Sequence, residues 1–520
     1  MSEISKRTWQ QTLTAFAHPR VVTMLFFGIS AGLPLLLIFS SLSLWLREAG
    51  VERAAVTYFS WAALGYSFKF VWAPLVDTLP IPVLTKRLGR RRAWLLLSQL
   101  SIMLAITAMA MIDPGENALT AMAWAAVILG FSSATQDVAL DAYRIESAES
   151  DLQALMSSSY IAGYRIGMLL AGAGGLFLAS YLGSSTAEYC YLAWKYTYLA
   201  MATMMLIGVV TTLIISEPIT ARDSRPAIKQ KQYLGLLVLF TLSVSGFVAS
   251  FAISSDLAQL AKQTLTLHLA NGYLAGFIID LCRLAFALTI AFIIAKTLVQ
   301  SRLIQQDMLD RTYIAPVKDY FQRYGLRLAW LLLALIALYR ISDIVLGVIS
   351  NVFYQDLGFS KPEIATVVKT FGLIMTIVGG FVGGILVLRF GVIRILFLGA
   401  ILSAATNLLF MLLAQIGYDM PMLYLVISAD NLSAGLASAA FIAFLSSLTN
   451  ISFTAVQYAI FSSLMTLLPK VLGGYSGTMV EAFGYQQFFL LTALMGLPVL
   501  ILIYFADKHF KLDPVTIPLG

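Results

Sequence analysis

The stretch WLREAGVERAAV, residues 45–56, has a counterpart much later in the chain, FYQDLGFSKPEI, residues 353–364. Each closes a long apolar segment with a polar, an acidic and an apolar residue and a glycine, and then enters a short polar loop. Two further pairs of stretches keep a similar offset and the same order. They are GFSSA with GLASA, and RLGRRR with RFGVIR. Three ordered matches indicate that the chain contains two copies of one structural unit.

Composition places this duplicated unit in a membrane. Hydrophobic residues make up 59% of the 520 residues and charged residues only 12%, whereas a soluble globular domain carries roughly 25% charged residues. A membrane-spanning helix needs about 20 apolar residues, and fourteen segments qualify: 22–46, 54–77, 93–112, 119–142, 153–181, 191–215, 233–254, 273–298, 328–354, 362–388, 392–414, 421–447, 451–475 and 485–505. The predicted fold is an all-α polytopic membrane protein with two six-helix repeats and two helices inserted between them.

The loops between these segments predict the orientation of the chain. Lys and Arg are concentrated in the loops on the side of the two chain ends, so the positive-inside rule makes both termini cytoplasmic. The expected regions are a cytoplasmic N-terminus (1–21), an N-terminal six-helix bundle (22–215), a linker with two extra transmembrane helices (216–327), a C-terminal six-helix bundle (328–505) and a cytoplasmic tail (506–520).

Several functional classes are disfavoured by the sequence. The net charge of +7 lies in short loops between apolar segments, so no nucleic-acid partner is expected. Cys190, Cys282 and three separated histidines form neither a disulfide framework nor a metal-binding cluster. The sequence has no Walker A pattern and no HExxH motif. We therefore expect no cofactor, no metal and no enzymatic activity, and the duplicated halves favour alternating access over a fixed channel.

Four stretches carry a family resemblance: GISAGLPLLL (28–37), GYSFKFVWAPLVD (65–77), LGRRRAWLLLSQ (88–99) and SSATQDVALDAYR (132–144). In this order, and with a matching second half, they resemble the AmpG family of muropeptide permeases. Parallel six-helix repeats are the construction of the major facilitator superfamily, to which that family belongs. The loop after Asp77 resembles the cytoplasmic gate motif of the superfamily, although Ala73 and Pro74 replace a usual glycine and about nine extra residues follow Asp77.

The resemblance implies a proton-driven importer in the inner membrane of Gram-negative bacteria. Its cargo would be anhydro-muropeptides, the GlcNAc-anhydroMurNAc peptides released by wall turnover, which are recycled in the cytoplasm and can signal β-lactamase induction and hence antibiotic resistance. A siderophore or an acyl-CoA-type metabolite is the alternative cargo. The expected partners are this small molecule, protons and the lipid bilayer, and the protein is expected to be a monomer.

Charged residues inside the predicted spans mark the candidate cargo site. A charge at the bilayer centre costs about 2.5–3.5 kcal/mol on insertion scales, so such residues are usually paired or functional. Arg340 and Asp343 lie three residues apart in the seventh helix of the duplicated fold. Either Arg340 binds a peptide carboxylate while Asp343 exchanges a proton, or the two form an ion pair that only holds the bundle together.

Further candidates for cargo contacts lie in other spans. Arg165, with Tyr160 and Tyr164 nearby, suits an anionic sugar–peptide, or else a paired arginine among packed aromatics. Lys369 is a second candidate for a cargo carboxylate. Gly32 belongs to a glycine and proline stretch that either bends the first helix at a binding site or packs it tightly.

The stretch SSATQDVALDAYRIE, residues 132–146, predicts gating and proton transfer. Asp141 and Arg144, together with Asp77 and the loop residues Arg90 and Arg91, are expected to form a cytoplasmic latch, with a static salt bridge at the helix end as the alternative.

Two aspartates are the further candidates for proton transfer beside Asp343. Asp137, beside Gln136, is expected on the proton route or in contact with cargo. Asp430 is an isolated intramembrane carboxyl and the second candidate proton carrier, or else a hydrogen-bonded structural residue.

Overall fold

The computed structural model describes residues 17–51, 59, 64–116, 118–147, 150–185, 188–218, 230–269, 272–301, 309–360, 363–473 and 476–509. Those residues form helices joined by turns, with no strand among them. They include 13 helical stretches long and apolar enough to cross a membrane. The predicted span 54–77 lies partly outside the described residues, and each of the other predicted spans overlaps one of these stretches. The all-α membrane fold is therefore confirmed.

The N-terminal half, 17–218, contains eleven helices in its described part. They are α1 (Pro19–Ile38), α2 (Ser40–Glu48), α3 (Leu64–Phe68), α4 (Ala73–Thr78), α5 (Leu84–Leu88), α6 (Arg90–Ala110), α7 (Leu119–Ser147), α8 (Ser150–Leu169), α9 (Gly175–Tyr181), α10 (Tyr191–Met204) and α11 (Leu206–Ile214). Short 3-10 turns at Lys69–Val71 and Pro114–Glu116 and a π-helical turn at Leu170–Gly174 join some of them.

The rest of the chain falls into a middle segment and a C-terminal half, 320–509. The middle helices are α12 (Gln230–Ile253), α13 (Ser255–Leu269) and α14 (Gly272–Gln300). The later helices are α15 (Ala315–Leu338), α16 (Ile341–Asp356), α17 (Gly372–Phe390), α18 (Val392–Ile416), α19 (Met420–Leu448), α20 (Thr454–Gly473), α21 (Ser476–Leu494) and α22 (Gly496–His509). π-Helical turns at Asp310–Ile314 and Ile364–Phe371 and a 3-10 turn at Ile451–Phe453 complete them.

Two compact units can be distinguished by their internal contacts. The described residues of Met1–Thr220 and Tyr320–Gly520 form one unit, which contains both halves, and those of Ala221–Asp319 form the other. Within the second unit, Arg283 stacks 4.0 Å above the Phe251 ring and donates a 2.8 Å hydrogen bond to the Phe251 carbonyl, beside the bend between α12 and α13. The domain boundaries drawn from the sequence remain predictions.

Glycines let α1 and α8 approach to backbone contact. A Cβ added to Gly28 would lie 2.2 Å from the Tyr160 carbonyl oxygen, and one added to Gly163 would lie 2.0 Å from the Leu25 carbonyl oxygen. The C-terminal half has a similar contact between α17 and α19, where a Cβ on Gly379 would meet the Leu432 carbonyl oxygen at 2.2 Å. These approaches are of the small-residue type that packs helices in membranes.

Interruptions in the helices occur where polar function is expected. The seventh span of the duplicated fold is broken at Tyr339 and Arg340, since Arg340 has φ −97° and ψ 10° and begins α16 from a non-helical conformation. The first span contains Pro34 and is interrupted at Phe39, where φ is −96° and ψ −83°. A break of this kind frees backbone groups and allows a side chain to leave the regular helical direction.

Candidate functional site

Hydrogen bonds from an ionic cluster of the N-terminal half join the two halves at the end of the bundle that carries the loop 79–89. We call Asp77, Arg91, Glu146 and Thr454 the latch cluster. The Nη2 atom of Arg91 lies 2.7 Å from Asp77 Oδ1, 2.5 Å from Glu146 Oε1 and 2.7 Å from Thr454 Oγ1. Its Nε donates to Glu146 Oε2 at 2.9 Å, so the pairing with Glu146 is bidentate. Thr454 also donates to Glu146.

The carboxylate of Asp77 also caps a helix of the opposite half. It accepts hydrogen bonds from the backbone N–H groups of Ala455 at 3.3 Å and Val456 at 3.1 Å, in the first turn of α20. A negative charge at a helix N-terminus is stabilised by the helix dipole. The side chains of Asp77 and Arg91 are 1% and 0% exposed, so both charges are shielded from water while the contact is closed.

Arg144 forms a second bridge between the halves. Its Nη1 donates to Ser446 Oγ in α19 at 2.8 Å, and its guanidinium lies 5.1 Å from the ring centre of Tyr458 in α20. Gln153 and Ser157 of the N-terminal half accept from the same nitrogen at 3.2 Å and 3.1 Å. Arg144, which was predicted to belong to the cytoplasmic gate, therefore contacts both halves.

The other predicted gate residues divide between the latch and the interior. Arg90 donates to the Asp77 carbonyl at 3.1 Å and reaches Glu146 at 3.9 Å, as expected of a loop arginine. Asp141 lies 3.4 Å from Arg144, but its other carboxylate oxygen faces Lys69 at 3.7 Å. Asp141 is thus shared between the latch end and the interior.

Glu217 supports the latch from the end of α11 and was not foreseen from the sequence. It accepts hydrogen bonds from the backbone N–H groups of Arg91 at 2.7 Å and Arg92 at 3.0 Å, at the start of α6. Burial raises the pKa of the Glu217 carboxyl above its ordinary value of 4.5, against the opposing effect of these donors. Gly89, at φ +90°, leaves room for it, because a Cβ there would lie 2.3 Å from Glu217 Cγ.

Glu146 and Thr454 were also missed by sequence reasoning. Glu146 ends the stretch that drew attention to α7, and an acidic residue there, on the side predicted to carry the basic loop 86–92, was an available signal. Thr454 gave none, because a hydroxyl at the start of a helix is common and its partners lie more than 300 residues away in sequence.

In the interior of the N-terminal half, Lys69 lies between two carboxylates. Its Nζ is 3.9 Å from Asp137 Oδ2 and 3.7 Å from Asp141 Oδ2. Tyr160 donates to Asp137 Oδ1 at 3.4 Å, and the Tyr160 and Tyr164 rings lie 6.1 Å apart. Asp137 is therefore held beside the aromatic pair, as part of a carboxylate pair that shares one ammonium.

In the C-terminal half, Arg340 and Asp343 form the corresponding interior group. Arg340 Nε lies 3.1 Å from Asp343 Oδ2, and its Nη1 donates to Ser438 Oγ at 2.6 Å. Ser403 donates a further hydrogen bond to Asp343. Asp430 is near enough to Asp343 for the two charges to interact, but its hydrogen bond comes from the Thr406 hydroxyl at 3.4 Å.

Arg165 has no hydrogen-bond or ion-pair partner among the residues that the structure describes. The neighbouring charge is that of Arg340, a second cation from the opposite half. Because charged groups within membranes are usually paired, two guanidinium groups near enough for their charges to interact leave a place for an anion. Lys369 is exposed and likewise has no ion-pair partner within the described part of the chain.

Two predicted cargo contacts lie elsewhere. Gln136 is 0% exposed and donates from Nε2 to Ser30 Oγ at 3.2 Å, inside the N-terminal half. Gly32 packs against α8, where an added Cβ would lie 2.1 Å from the Tyr164 carbonyl oxygen. Both residues therefore pack helices in this conformation, because their side of the helix faces a neighbouring helix, and cargo contact by either stays a prediction. Among the described residues, no three metal-ligating side chains converge.

Comparison with known proteins gives the class of the protein. The sequence profile of the Major Facilitator Superfamily matches residues 8–309 and 330–516, so the chain belongs to that superfamily of transporters and is not an enzyme. The proton:xylose symporter XylE, bound to 6-bromo-6-deoxy-D-glucose, is similar with a TM-score of 0.57 at 13% identity, over 95% of this chain and 96% of that chain. The fucose:proton symporter FucP of E. coli gives 0.57 at 12%, over 96% and 99%. These likenesses show the fold alone.

Two relatives identify the family within this superfamily. The putative transporter AmpG 4 of Rickettsia conorii is 30% identical over 494 residues, which cover 95% of this chain and 98% of the relative. The anhydromuropeptide permease of Escherichia coli K12 is 29% identical over 494 residues, which cover 95% and 81%. The chain belongs to the AmpG family, as its motifs predicted. It is a multi-pass membrane transporter of a small molecule.

Proposed function

We propose that the protein imports anhydro-muropeptides from the periplasm to the cytoplasm by alternating access, coupled to protons. The proposed location is the bacterial inner membrane, with both termini and the latch cluster on the cytoplasmic side. A relative that bears the name anhydromuropeptide permease supports the cargo, and the loop charges support the orientation. Import of this kind would serve cell-wall recycling and would link the protein to β-lactamase induction and antibiotic resistance.

The observation that carries the proposal is that Arg165 and Arg340 lie near enough for their charges to interact. The two guanidinium groups come from opposite halves and repel each other, while Arg165 has no anion among its described neighbours. A carboxylate of the cargo peptide placed between them would accept charge-assisted hydrogen bonds from both. Tyr160 and Tyr164, beside Arg165, offer ring faces to the sugar. Binding of the anion would thus draw the halves together.

Proton coupling is assigned to the carboxylates beside Arg340. Asp343 is neutralised by Arg340 at 3.1 Å, whereas Asp430 receives one weak hydrogen bond from Thr406. When a cargo carboxylate engages Arg340, it adds negative charge next to both aspartates. Protonation of Asp430 then removes the excess charge, with Asp343 as the second candidate carrier. Cargo and proton are therefore expected to bind cooperatively. Asp137, which shares Lys69 with Asp141, is the candidate in the other half.

The latch cluster sets the state seen here. With the halves joined at the latch end, cargo cannot leave on that side, so this conformation corresponds to loading from the periplasm in the proposed orientation. Release requires Asp77 to leave the first turn of α20 and Arg144 to leave Ser446. We propose that one chain suffices for the cycle, because a single chain supplies both halves of the cargo site.

Uptake of labelled GlcNAc-anhydroMurNAc-tripeptide into proteoliposomes with an imposed pH gradient tests the proposal. Wild type is expected to accumulate cargo only with the gradient, and Arg165→Gln is expected to lose accumulation. The matched control is Arg283→Gln, the same charge removed from the smaller unit. Equal uptake by wild type with and without the gradient would show that transport is not coupled to protons. No uptake by wild type would show that this muropeptide is not the cargo.

The alternative cargo, a siderophore or an acyl-CoA-type metabolite, would use the same two arginines because each carries negative charge. Competition distinguishes the cases. An excess of unlabelled muropeptide abolishes uptake of the labelled compound if the site is built for it. A ferric siderophore or a coenzyme A thioester that competes at lower concentration identifies the alternative as the better substrate.

A further inference from the structure

The loop between α4 and α6, residues 79–89, is longer than the gate motif it resembles and is structurally fixed. Trp94 donates from its indole N–H to the Leu79 carbonyl at 2.9 Å. Inside the loop, the Ile81 N–H donates to Thr85 Oγ1 at 2.8 Å, and the Thr85 N–H donates to the Ile81 carbonyl at 3.0 Å. The extra residues are therefore held in one conformation. They do not form a flexible linker.

The tip of this loop presents apolar side chains. Val83 is 61% exposed, and Pro80 and Pro82 beside it are also exposed. Val83 has φ +66° and is the single non-glycine residue with positive φ in the described chain. This region is unfavourable for a β-branched residue, and a glycine would relieve the strain. The side chain of Val83 is therefore held at the exposed tip of the loop.

Cations follow the apolar tip directly. Lys86 and Arg87 are exposed on the short helix α5, and neither has a hydrogen-bond or ion-pair partner within the described residues. Trp94, in the second turn of α6, is of the residue type enriched at the level of the lipid headgroups. Apolar side chains and unpaired cations together at this level match the chemistry of an anionic lipid surface.

We propose that the loop 79–89 docks on anionic phospholipid, with Pro82 and Val83 among the headgroups and Lys86 and Arg87 on the phosphates. The inference rests on the orientation given under Proposed function, because it places the loop at the cytoplasmic leaflet. A protein partner fits less well, since three small apolar residues fall far short of the roughly 1,000 Å² of a specific protein interface. The loop connects Asp77 to Arg91, so bound lipid holds both ends of the latch cluster in place.

A fluorescent label at Val83→Cys, in a full-length chain with Cys190→Ser and Cys282→Ser, reports the contact directly. The protein is placed in vesicles of pure phosphatidylcholine or of equal parts phosphatidylcholine and phosphatidylglycerol. Quenching by nitroxide lipid is compared with quenching by aqueous iodide. A label at Leu104→Cys, 71% exposed in the middle of α6, gives the reference for lipid contact. No cargo and no gradient are needed, so the result is independent of the proposed transport.

Lipid quenching at position 83 is expected to rise with phosphatidylglycerol. In the double variant Lys86→Gln/Arg87→Gln, the ratio of lipid-bound to free loop is expected to fall roughly tenfold or more. The reason is that each cation near an anionic surface contributes about 1 kcal/mol to binding. Lys86→Arg/Arg87→Lys, which keeps both charges, is expected to retain it. Iodide quenching in both vesicle types overturns the docking. Lipid quenching that ignores both phosphatidylglycerol and the charge change overturns the anionic partner.

Discussion

Asp77 Oδ2 accepts a hydrogen bond from the backbone N–H of Val456 at 3.1 Å, across a sequence separation of 379 residues. The contact makes a carboxylate of one half the cap of a helix in the other half. This contact exists only while the latch end of the bundle is closed. A substitution of Asp77 therefore changes the conformational equilibrium of the transporter.

Asp77→Asn is expected to favour the open latch, because the amide carries no charge for Arg91 or for the dipole of α20. Removal of one partner of a buried ion pair destabilises the contact by about 3–5 kcal/mol. The measurement is the rate at which a hydrophilic maleimide alkylates Ser157→Cys, which is 0% exposed beneath the latch, in the cysteine-free background. Asp507→Asn, an exposed charge change on α22, is the control. Unchanged alkylation would show that Asp77 does not control closure.

Arg91 and Glu146 are expected to be energetically coupled. Arg91→Lys keeps the charge but cannot form the bidentate contact, so it is expected to lower the melting temperature nearly as much as Arg91→Gln. In a double-mutant cycle with Glu146→Gln, the coupling free energy is expected to fall in the range of about 0.5–3 kcal/mol. Additive effects in thermal unfolding would mean that the pair makes no joint contribution.

Arg165→Gln is expected to weaken cargo binding by roughly 10- to 100-fold, the loss of one charge-assisted hydrogen bond to a carboxylate. The same variant is expected to bind a C-terminally amidated tripeptide ligand as weakly as wild type does. Titration calorimetry with both ligands measures the difference. If wild type binds acid and amide equally well, Arg165 recognises another part of the cargo.

Asp430→Asn is expected to uncouple transport from the proton. The amide mimics the protonated carboxyl permanently, so exchange of labelled for unlabelled cargo should continue while gradient-driven accumulation stops. Asp343→Asn should behave differently, since it removes the partner of Arg340 and should impair binding itself. Comparison of exchange and accumulation in proteoliposomes separates the two aspartates. Normal accumulation by Asp430→Asn would indicate that Asp343 or Asp137 carries the proton instead.

Glu217→Gln is expected to change the pH dependence of stability. The pKa of the Glu217 carboxyl is raised in the folded protein, so the folded state holds its proton more tightly than the unfolded state does. The contribution of Glu217 to stability is therefore largest below pH 4.5 and declines as the pH rises through the raised pKa. The melting temperature of the variant, relative to wild type, should rise as the pH increases above 4.5, until Glu217 is ionised in the folded protein. A constant difference would show that the pKa is not raised.

The sequence allowed the duplicated helical architecture and much of the charge pairing to be predicted. Asp77 beside a loop arginine follows from residues close together in the sequence of one half. Contacts between halves did not follow. Helical periodicity shows which residues share a face, but it does not show which helix that face meets.

This limit applies to two of the predicted cargo contacts. Gln136 and Gly32 lie on helices that also carry candidate functional groups, yet they point to Ser30 and to α8. Helical periodicity placed both residues on helices that carry candidate functional groups. The residues that surround them are determined by the packing of α1 against its neighbours. The same argument applies to Glu146, whose importance depends on Thr454 of the other half.

The glycine contacts between α1 and α8 have a mechanical consequence. Since the carbonyl oxygens of Tyr160 and Leu25 occupy the space where β-carbons of Gly28 and Gly163 would stand, the two helices interlock and cannot slide along each other. α1 and α8 must then move together as one body. The C-terminal half has the same kind of contact between α17 and α19, so bending is left to the seventh span, which is already broken at Arg340. The cargo arginine thus stands at the point where its own span can bend.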